Sequence, residues 1–378
     1  MDHIEGFPNP FYITQPLMPE WDELSRIMKS VFESNQLSNN GKMVMELENQ
    51  LADFLGTDCL SVFCNGTIAL QVACRALRLS GEVITTPFTF AATVHALTWS
   101  NLKPVFCDIQ EDSLNLDPDL IESLITEKTT GILPVHVFGT PCNVEKIQQI
   151  ADKYGLKVLY DAAHAFGVKI KDKPIASYGD ISMFSFHATK IYHTIEGGAL
   201  ACNNPYLKER LDSLRNFGIN NDSTVKEPGT NGKLNEIQAS VGLLLLKKVQ
   251  AEIEQRKYLT DLYRQLLHDL SGLQVYQDIE GIRHNYPYFA VKIDQHQFGL
   301  TRDELHEKLL QYNVISRKYF YPLCSNFQCY KDLPSASETK LPIANKTANS
   351  ILALPLHGRM CESDVKKICT IIRKVKPK

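Results

Sequence analysis

Between about residue 45 and residue 202 the chain alternates between two hydrophobic periods, and this most constrains its fold. "ELENQLADFLG" and "TIALQVACRALRLSG" carry apolar residues at helical spacing. "EVITTP", "KPVFCDI" and "KVLYD" are short apolar runs of strand length. Helical stretches lie between them: "FAATVHALTWSN", "DPDLIESLI" with Pro118 at its start, and "VEKIQQIADKYG". "TGILPVHVFG" reads as a strand with an odd internal Pro134, and "DISMFSFHA" and "GGALACN" as two more strands. Strands alternating with helices predict an α/β domain: a mostly parallel sheet covered on both faces, with ligands bound at the carboxyl ends of its strands.

The pattern changes after residue 234. "KLNEIQASVGLLLLKKVQAEIEQRKYLTDLYRQLLHDL" reads as one nearly continuous helix bridging two domains. Beyond it, "YPYFAVKI" reads as a strand, "TRDELHEKLLQYN" as a capped helix and "ESDVKKICTIIRKV" as a terminal helix. The expected organisation is a large domain over 1–249, including the N-terminal segment, and a smaller α+β domain over 250–378. The N-terminal segment is expected to pack on the small domain or to reach across a partner. A length of 378 residues suits this division.

Bulk properties exclude several classes of function. The formal net charge is −3, so no basic field invites nucleic acid. No apolar run approaches the roughly 20 residues that span a bilayer, so no membrane partner is expected. "MDHIEGFPNPFY" lacks the basic start and apolar core of a signal peptide. The ten cysteines contain no C-x-x-C pair, which points to free thiols in a reducing cytoplasm. No cluster has metal-ligand spacing.

Four stretches carry chemistry. Lys190 follows the strand in "SMFSFHATKIYHTIEGGAL", where a desolvated amine becomes a nucleophile for carbonyls. Asp161 ends the strand in "LYDAAHAFG", with small alanines beside it and His164 three residues on. A lysine for an aldehyde and a carboxylate for a ring nitrogen is the pair that pyridoxal phosphate needs. In this arrangement His164 would bond or stack on the ring. Asn65-Gly66-Thr67 precedes a helix, a ready site for a phosphate. Phe88 in "TTPFTFAAT" follows a strand and Pro87, where an aromatic would cover one ring face. Each has a plainer reading alone: a loop lysine, a helix cap, an ordinary N-cap and a core phenylalanine. In this order they form the constellation of a fold type I pyridoxal phosphate enzyme.

With these residues in place the sequence resembles the DegT/DnrJ/EryC1/StrS family of sugar aminotransferases. The resemblance runs from "LSNNGKMVMELENQLADFLG" through "NGTIALQVACRAL", "TPFTFAAT", "DAAHAFG" and "FSFHATK" to "NGKLNEIQA" and "RKYFYPL". It implies an aspartate aminotransferase-like fold with a seven-stranded sheet. It also implies a pyridoxal phosphate enzyme that moves an amino group from L-glutamate onto a nucleotide-linked keto sugar, acting as a homodimer with shared active sites. By resemblance Lys190 holds the cofactor, Asp161 partners its ring nitrogen and Phe88 stacks on the ring. Gly66, Thr67 and Ser185 contact the phosphate, and Asn231 reaches the phosphate in the neighbouring subunit. Arg317, Tyr319 and Tyr321 approach the sugar nucleotide. Apart from the resemblance, His187 beside the lysine is a candidate substrate contact.

Members acting at C3 commonly have glutamine at the position of His164. The "DAAHA" and "FSFHATKIYHTIEGGAL" runs look more like members that aminate C4 of dTDP-4-keto-6-deoxyglucose, for O-antigen or other glycan synthesis. A C3 or UDP-sugar C4 enzyme, or a regulator that binds the cofactor without turnover, stands as the alternative. Lys190 argues against the dehydratase branch, which carries histidine there. "NGKLNE" departs from the commoner "NYRM", so the interface around Asn231 is open to difference. Glu196 is read as bracing the loop before Gly197-Gly198. His193 and His187 are left open between bracing and substrate contact.

Overall fold

The computed structural model of the chain describes residues 5–220 and 224–377. Seven strands form the main sheet: β1 Cys59–Phe63, β2 Glu82–Thr85, β3 Lys103–Phe106, β4 Thr129–Leu133, β5 Lys157–Asp161, β6 Ile181–Ser185 and β7 Gly198–Cys202. Their spatial order is β1-β7-β6-β5-β4-β2-β3. Neighbours from β3 to β6 pair in parallel, and β7 runs antiparallel to both β6 and β1. The sheet is therefore mostly parallel, as the alternating periods predict.

Both faces are covered, which explains the continuous apolar character of the strands. On one face Leu159, Met183 and Leu200 pack against Leu70 and Ala73 of the helix Gly66–Ala76 and Leu97 of the helix Ala91–Trp99. On the other, Val62, Phe184 and Ala199 meet Leu47 and Leu51 of Lys42–Leu55 and Ala239 of Glu236–Leu246. β4 stops at Leu133 because Pro134 has no N–H to give. Pairing with β5 survives around it: Asp161 N–H donates to Pro134 O and His136 N–H donates to Asp161 O.

The expected bridging helix is two helices, Glu236–Leu246 and Val249–Leu267, broken at Lys247-Lys248. The first is buried along most of its length and lies under the large sheet. A buried helix cannot carry two successive ammonium groups inward, so the chain turns where the lysines meet solvent. Gly242 in the first helix allows a close approach. A Cβ there would stand 2.7 Å from both Tyr192 Oη and Thr194 Cγ2 of the loop after Lys190.

The small domain has an antiparallel sheet of Leu273–Val275, Phe289–Ile293 and Ile351–Leu354. The helices Val249–Leu267, Arg302–Leu310 and Glu362–Val375 contribute to its core. Thr301 and Glu304 close a capping box on the second of these, as the sequence predicts. The N-terminal segment packs on the small domain of its own chain. Phe7 N–H donates to Tyr312 O, Ile315 N–H to Phe11 O and Leu356 N–H to Ile13 O. All ten cysteines are free thiols. Among the described residues no helix is long and apolar enough to cross a membrane.

Candidate active site

The carboxyl ends of β1, β2, β5 and β6 open into one cleft of about 290 Å³. β1 leads to Asn65, Gly66 and Thr67, β5 to Asp161 and His164, and β6 to Ser185, His187 and Lys190, all lining the cleft. Tyr288, Tyr319 and Phe320 of the small domain line it as well. The antiparallel β7 starts at this edge, just after Glu196. Gly198 is needed there because a Cβ would stand 2.8 Å from Gly66 N.

Asp161 is 4% exposed and tightly held. Thr93 Oγ1 donates to its Oδ2 at 2.7 Å, and the Ala163 N–H donates to Oδ1 at 3.0 Å. Thr89 Oγ1 lies 2.8 Å from Thr93 Oγ1 and extends the chain of hydroxyls. Burial raises the Asp161 pKa, while Thr93, Ala163 and Lys190 pull it back. Lys190 is partly buried in the cleft, and desolvation lowers its pKa against the opposing fields of Asp161 and Tyr319. Its amine is thus moved toward the neutral, nucleophilic form. His164 Nδ1 accepts the Phe138 N–H at 3.3 Å, which leaves the ring hydrogen on Nε2. Burial, and then the Lys190 charge, hold the His164 pKa well below its ordinary value.

The floor can accept a phosphate. Asn65 caps the helix Gly66–Ala76 by accepting the Ile68 N–H at 2.8 Å. The Gly66 and Thr67 amides lie in the first turn, where helical acceptors are missing. A Cβ on Gly66 would stand 3.2 Å from Met183 Sδ and 3.3 Å from Ser185 Cβ, so glycine keeps this cradle open.

Phe88 is a correction. It is fully buried and does not line the cleft; its ring packs edge-on at 5.5 Å against Phe320 and 6.4 Å against Phe138. In this stretch the ring that lines the cleft is that of Phe90, 63% exposed and next to the helix Ala91–Trp99. Strand periodicity has ended at Thr85, so it does not say which of the two rings turns outward. Thr93 was missed because a threonine in a first helical turn is ordinary; Tyr288 lies far along the chain and left no signal.

Asn231 is exposed, bridged to Asn216, and does not line the Lys190 cleft of its own chain. Arg317, Tyr319 and Tyr321 line an adjoining cleft of about 480 Å³, which shares Phe90, Tyr319 and Phe320 with the first. The Arg302 guanidinium lies 4.7 Å over the Tyr321 ring. His193 is separated from His187 by its surroundings. It is buried, its Nε2 donates to Leu17 O at 2.7 Å, and its Nδ1 accepts the Ile195 N–H. It braces the loop. His187 and Glu196 instead both line the cleft.

Residues 20–373 match the model of the DegT/DnrJ/EryC1/StrS aminotransferase family. The chain is 45% identical over 363 residues to a dTDP-4-amino-4,6-dideoxy-D-glucose transaminase of Escherichia coli, covering 95% of this chain and 97% of that protein. It is 41% identical to a transaminase of the same name from Shigella dysenteriae, covering 97% and 99%. Among solved structures, DesI in the presence of its TDP-sugar product matches with a TM-score of 0.93 at 34% identity, covering 98% of this chain and 94% of that one. With the cleft built as described and the match spanning both domains, the chain belongs to the DegT/DnrJ/EryC1/StrS aminotransferase family.

Proposed function

We propose that this chain is a pyridoxal phosphate-dependent aminotransferase that moves the amino group of L-glutamate to C4 of dTDP-4-keto-6-deoxyglucose, yielding dTDP-4-amino-4,6-dideoxyglucose. The observation that carries the reading is the convergence of Lys190, Asp161 and the N-terminus of Gly66–Ala76 in one cleft. The substrate follows from the 45% and 41% identical relatives.

The residues fit the cofactor. Gly66, Thr67 and Ser185 would hold its phosphate, Asp161 its ring nitrogen and Lys190 its aldehyde, with Phe90 and His164 beside the ring. When bound, pyridoxal phosphate supplies an aldehyde that takes up amino groups and a ring that stores the electron pair left by a broken C–H bond. Thr93 and Ala163 fix the Asp161 carboxylate in one orientation, so no reorganisation is needed at the moment of reaction. Lys190 Nζ, freed when glutamate binds, takes the α-proton as general base. In the second half of the cycle the same Nζ returns a proton to C4 of the sugar. Phe320 and Tyr288 narrow the cleft from the small domain and limit water.

In this reading the sugar nucleotide extends toward Arg317, Tyr319 and Tyr321. The chain acts as a homodimer in which exposed Asn231 serves the partner's cleft. We place the domain boundary at 249/250, beside the break between the two central helices. Ten free thiols suit a reducing cytoplasm. The test is incubation with L-glutamate and dTDP-4-keto-6-deoxyglucose, with products analysed by mass spectrometry and NMR. A C4 amine and 2-oxoglutarate in equal amounts are expected. Amination at C3, or turnover of UDP-linked keto sugars in preference, overturns the substrate; no transfer to any keto sugar overturns the reaction.

A further inference from the structure

Besides Lys190, Asp161 and His164, the cleft is lined by a second titratable pair, His187 and Glu196. His187 Nδ1 accepts the Thr189 N–H at 3.2 Å and lies 2.8 Å from Thr189 Oγ1. That leaves the ring hydrogen on Nε2, which faces Glu196 Oε1 at 3.5 Å. Both side chains are about half exposed. The Lys190 N–H donates to His187 O at 2.9 Å, so His187 sits in the same turn as the reacting lysine.

The backbone at Glu196 is held in place. Ile195 has φ 70°, unusual for a β-branched residue. His193 accepts its N–H, Thr194 Oγ1 donates to Glu196 O at 2.8 Å, and a Cβ on Gly197 would collide with the Thr194 side chain. Strain of this kind persists where the surroundings over-determine it. The result is a carboxylate in a cleft whose lining, among the described residues, holds Lys190 and no arginine. A donor amino acid with two carboxylates is repelled by it. A hydroxyl is not: it can donate to Oε1 while accepting from Nε2–H.

We infer that Glu196 and His187 together bind the sugar hydroxyl next to the reacting carbonyl, and that Glu196 weakens competing occupancy by the dicarboxylate donor. The inference rests on the sugar-nucleotide reading above. Glu196→Gln keeps the side chain's size and removes its charge. Its KM for dTDP-4-keto-6-deoxyglucose should rise about 10- to 100-fold. Its KM for glutamate, read from 2-oxoglutarate release, should fall by roughly two- to fivefold. Calorimetric affinity of the cofactor-free protein for dTDP-4-amino-4,6-dideoxyglucose should weaken in step with the sugar KM. With a keto sugar lacking the 3-hydroxyl, the two proteins should differ by less than about twofold. A parallel rise in both KM values, or unchanged product affinity, overturns the pair's role. If the unaltered chain aminates no keto sugar, the reaction proposed above fails, and the product-binding comparison still decides the pair.

Discussion

The floor and the mouth of the cleft are built on opposite physical terms. At the floor Asp161 and His164 are buried, and desolvation dominates their ionisation. Their polar atoms are tied to Thr93, Ala163 and Phe138. At the mouth Phe90, His187, Glu196, Arg317 and Tyr321 are exposed. A buried site fixes charge and geometry before any ligand arrives, which suits the chemistry shared by every turnover. An exposed rim can vary in shape and charge at little cost in stability, which suits the choice of substrate.

The hardest way to break this contrast is at the floor. Lys190→Ala should lower turnover by about 10⁴-fold or more and abolish the yellow absorption of the bound cofactor. Steady-state assays and visible spectra check both; survival of either puts the essential amine elsewhere. The next test separates two rings in one stretch. Phe88→Ala should cost roughly 3–5 kcal/mol in urea unfolding, because it empties a buried site against Phe138 and Phe320. Phe90→Ala should cost less than about 1 kcal/mol in the cofactor-free protein, yet speed loss of the cofactor on dialysis. Equal destabilisation by the two would erase the distinction between core and rim.

The smallest effect is a pH slope carried by histidines outside the mouth. Burial pushes His284 and His357 down to about 4 and His136 down to about 3. Their unfolded value is near 6.5, so the unfolded chain binds more protons from about 6.5 down to about 4, and for His136 down to about 3. Stability therefore falls as pH drops through that window, by roughly 1–3 kcal/mol for each group. Asp161 has the opposite sign: burial raises its pKa, and its contribution, present at low pH, is lost as pH rises through the folded value. Urea unfolding at several pH values should show the acid loss, and His357→Phe should flatten it. An unchanged slope would mean that His357 is not the titrating group.

Much of the floor was legible because it lies at strand ends. "KVLYD" and "ISMFS" announce β5 and β6, and Asp161 and Lys190 follow from where those strands stop. The rim was harder. Phe88 and Phe90 are two residues apart in a turn with no period, so no local pattern says which ring lines the cleft. His187 and His193 were indistinguishable until Leu17, from the N-terminal segment, came to bond one of them. Both halves of the long helical stretch share one apolar period, and only exposed Lys247 and half-buried Lys248 mark the break.

The amino-acid order by itself determined the alternation of strands and helices, the strand-end lysine and carboxylate, and the glycine at the helix start. These depend on residues a few positions apart, and local periodicity records them. Only the tertiary structure decided that Thr93 holds Asp161 across 68 residues and that Leu17 holds His193 across 176. The same holds for Phe90 and Glu196, which face the cleft while Phe88 and His193 are buried. Burial and hydrogen-bond partners are supplied by segments remote in sequence, and no local pattern encodes which of two similar side chains will meet them.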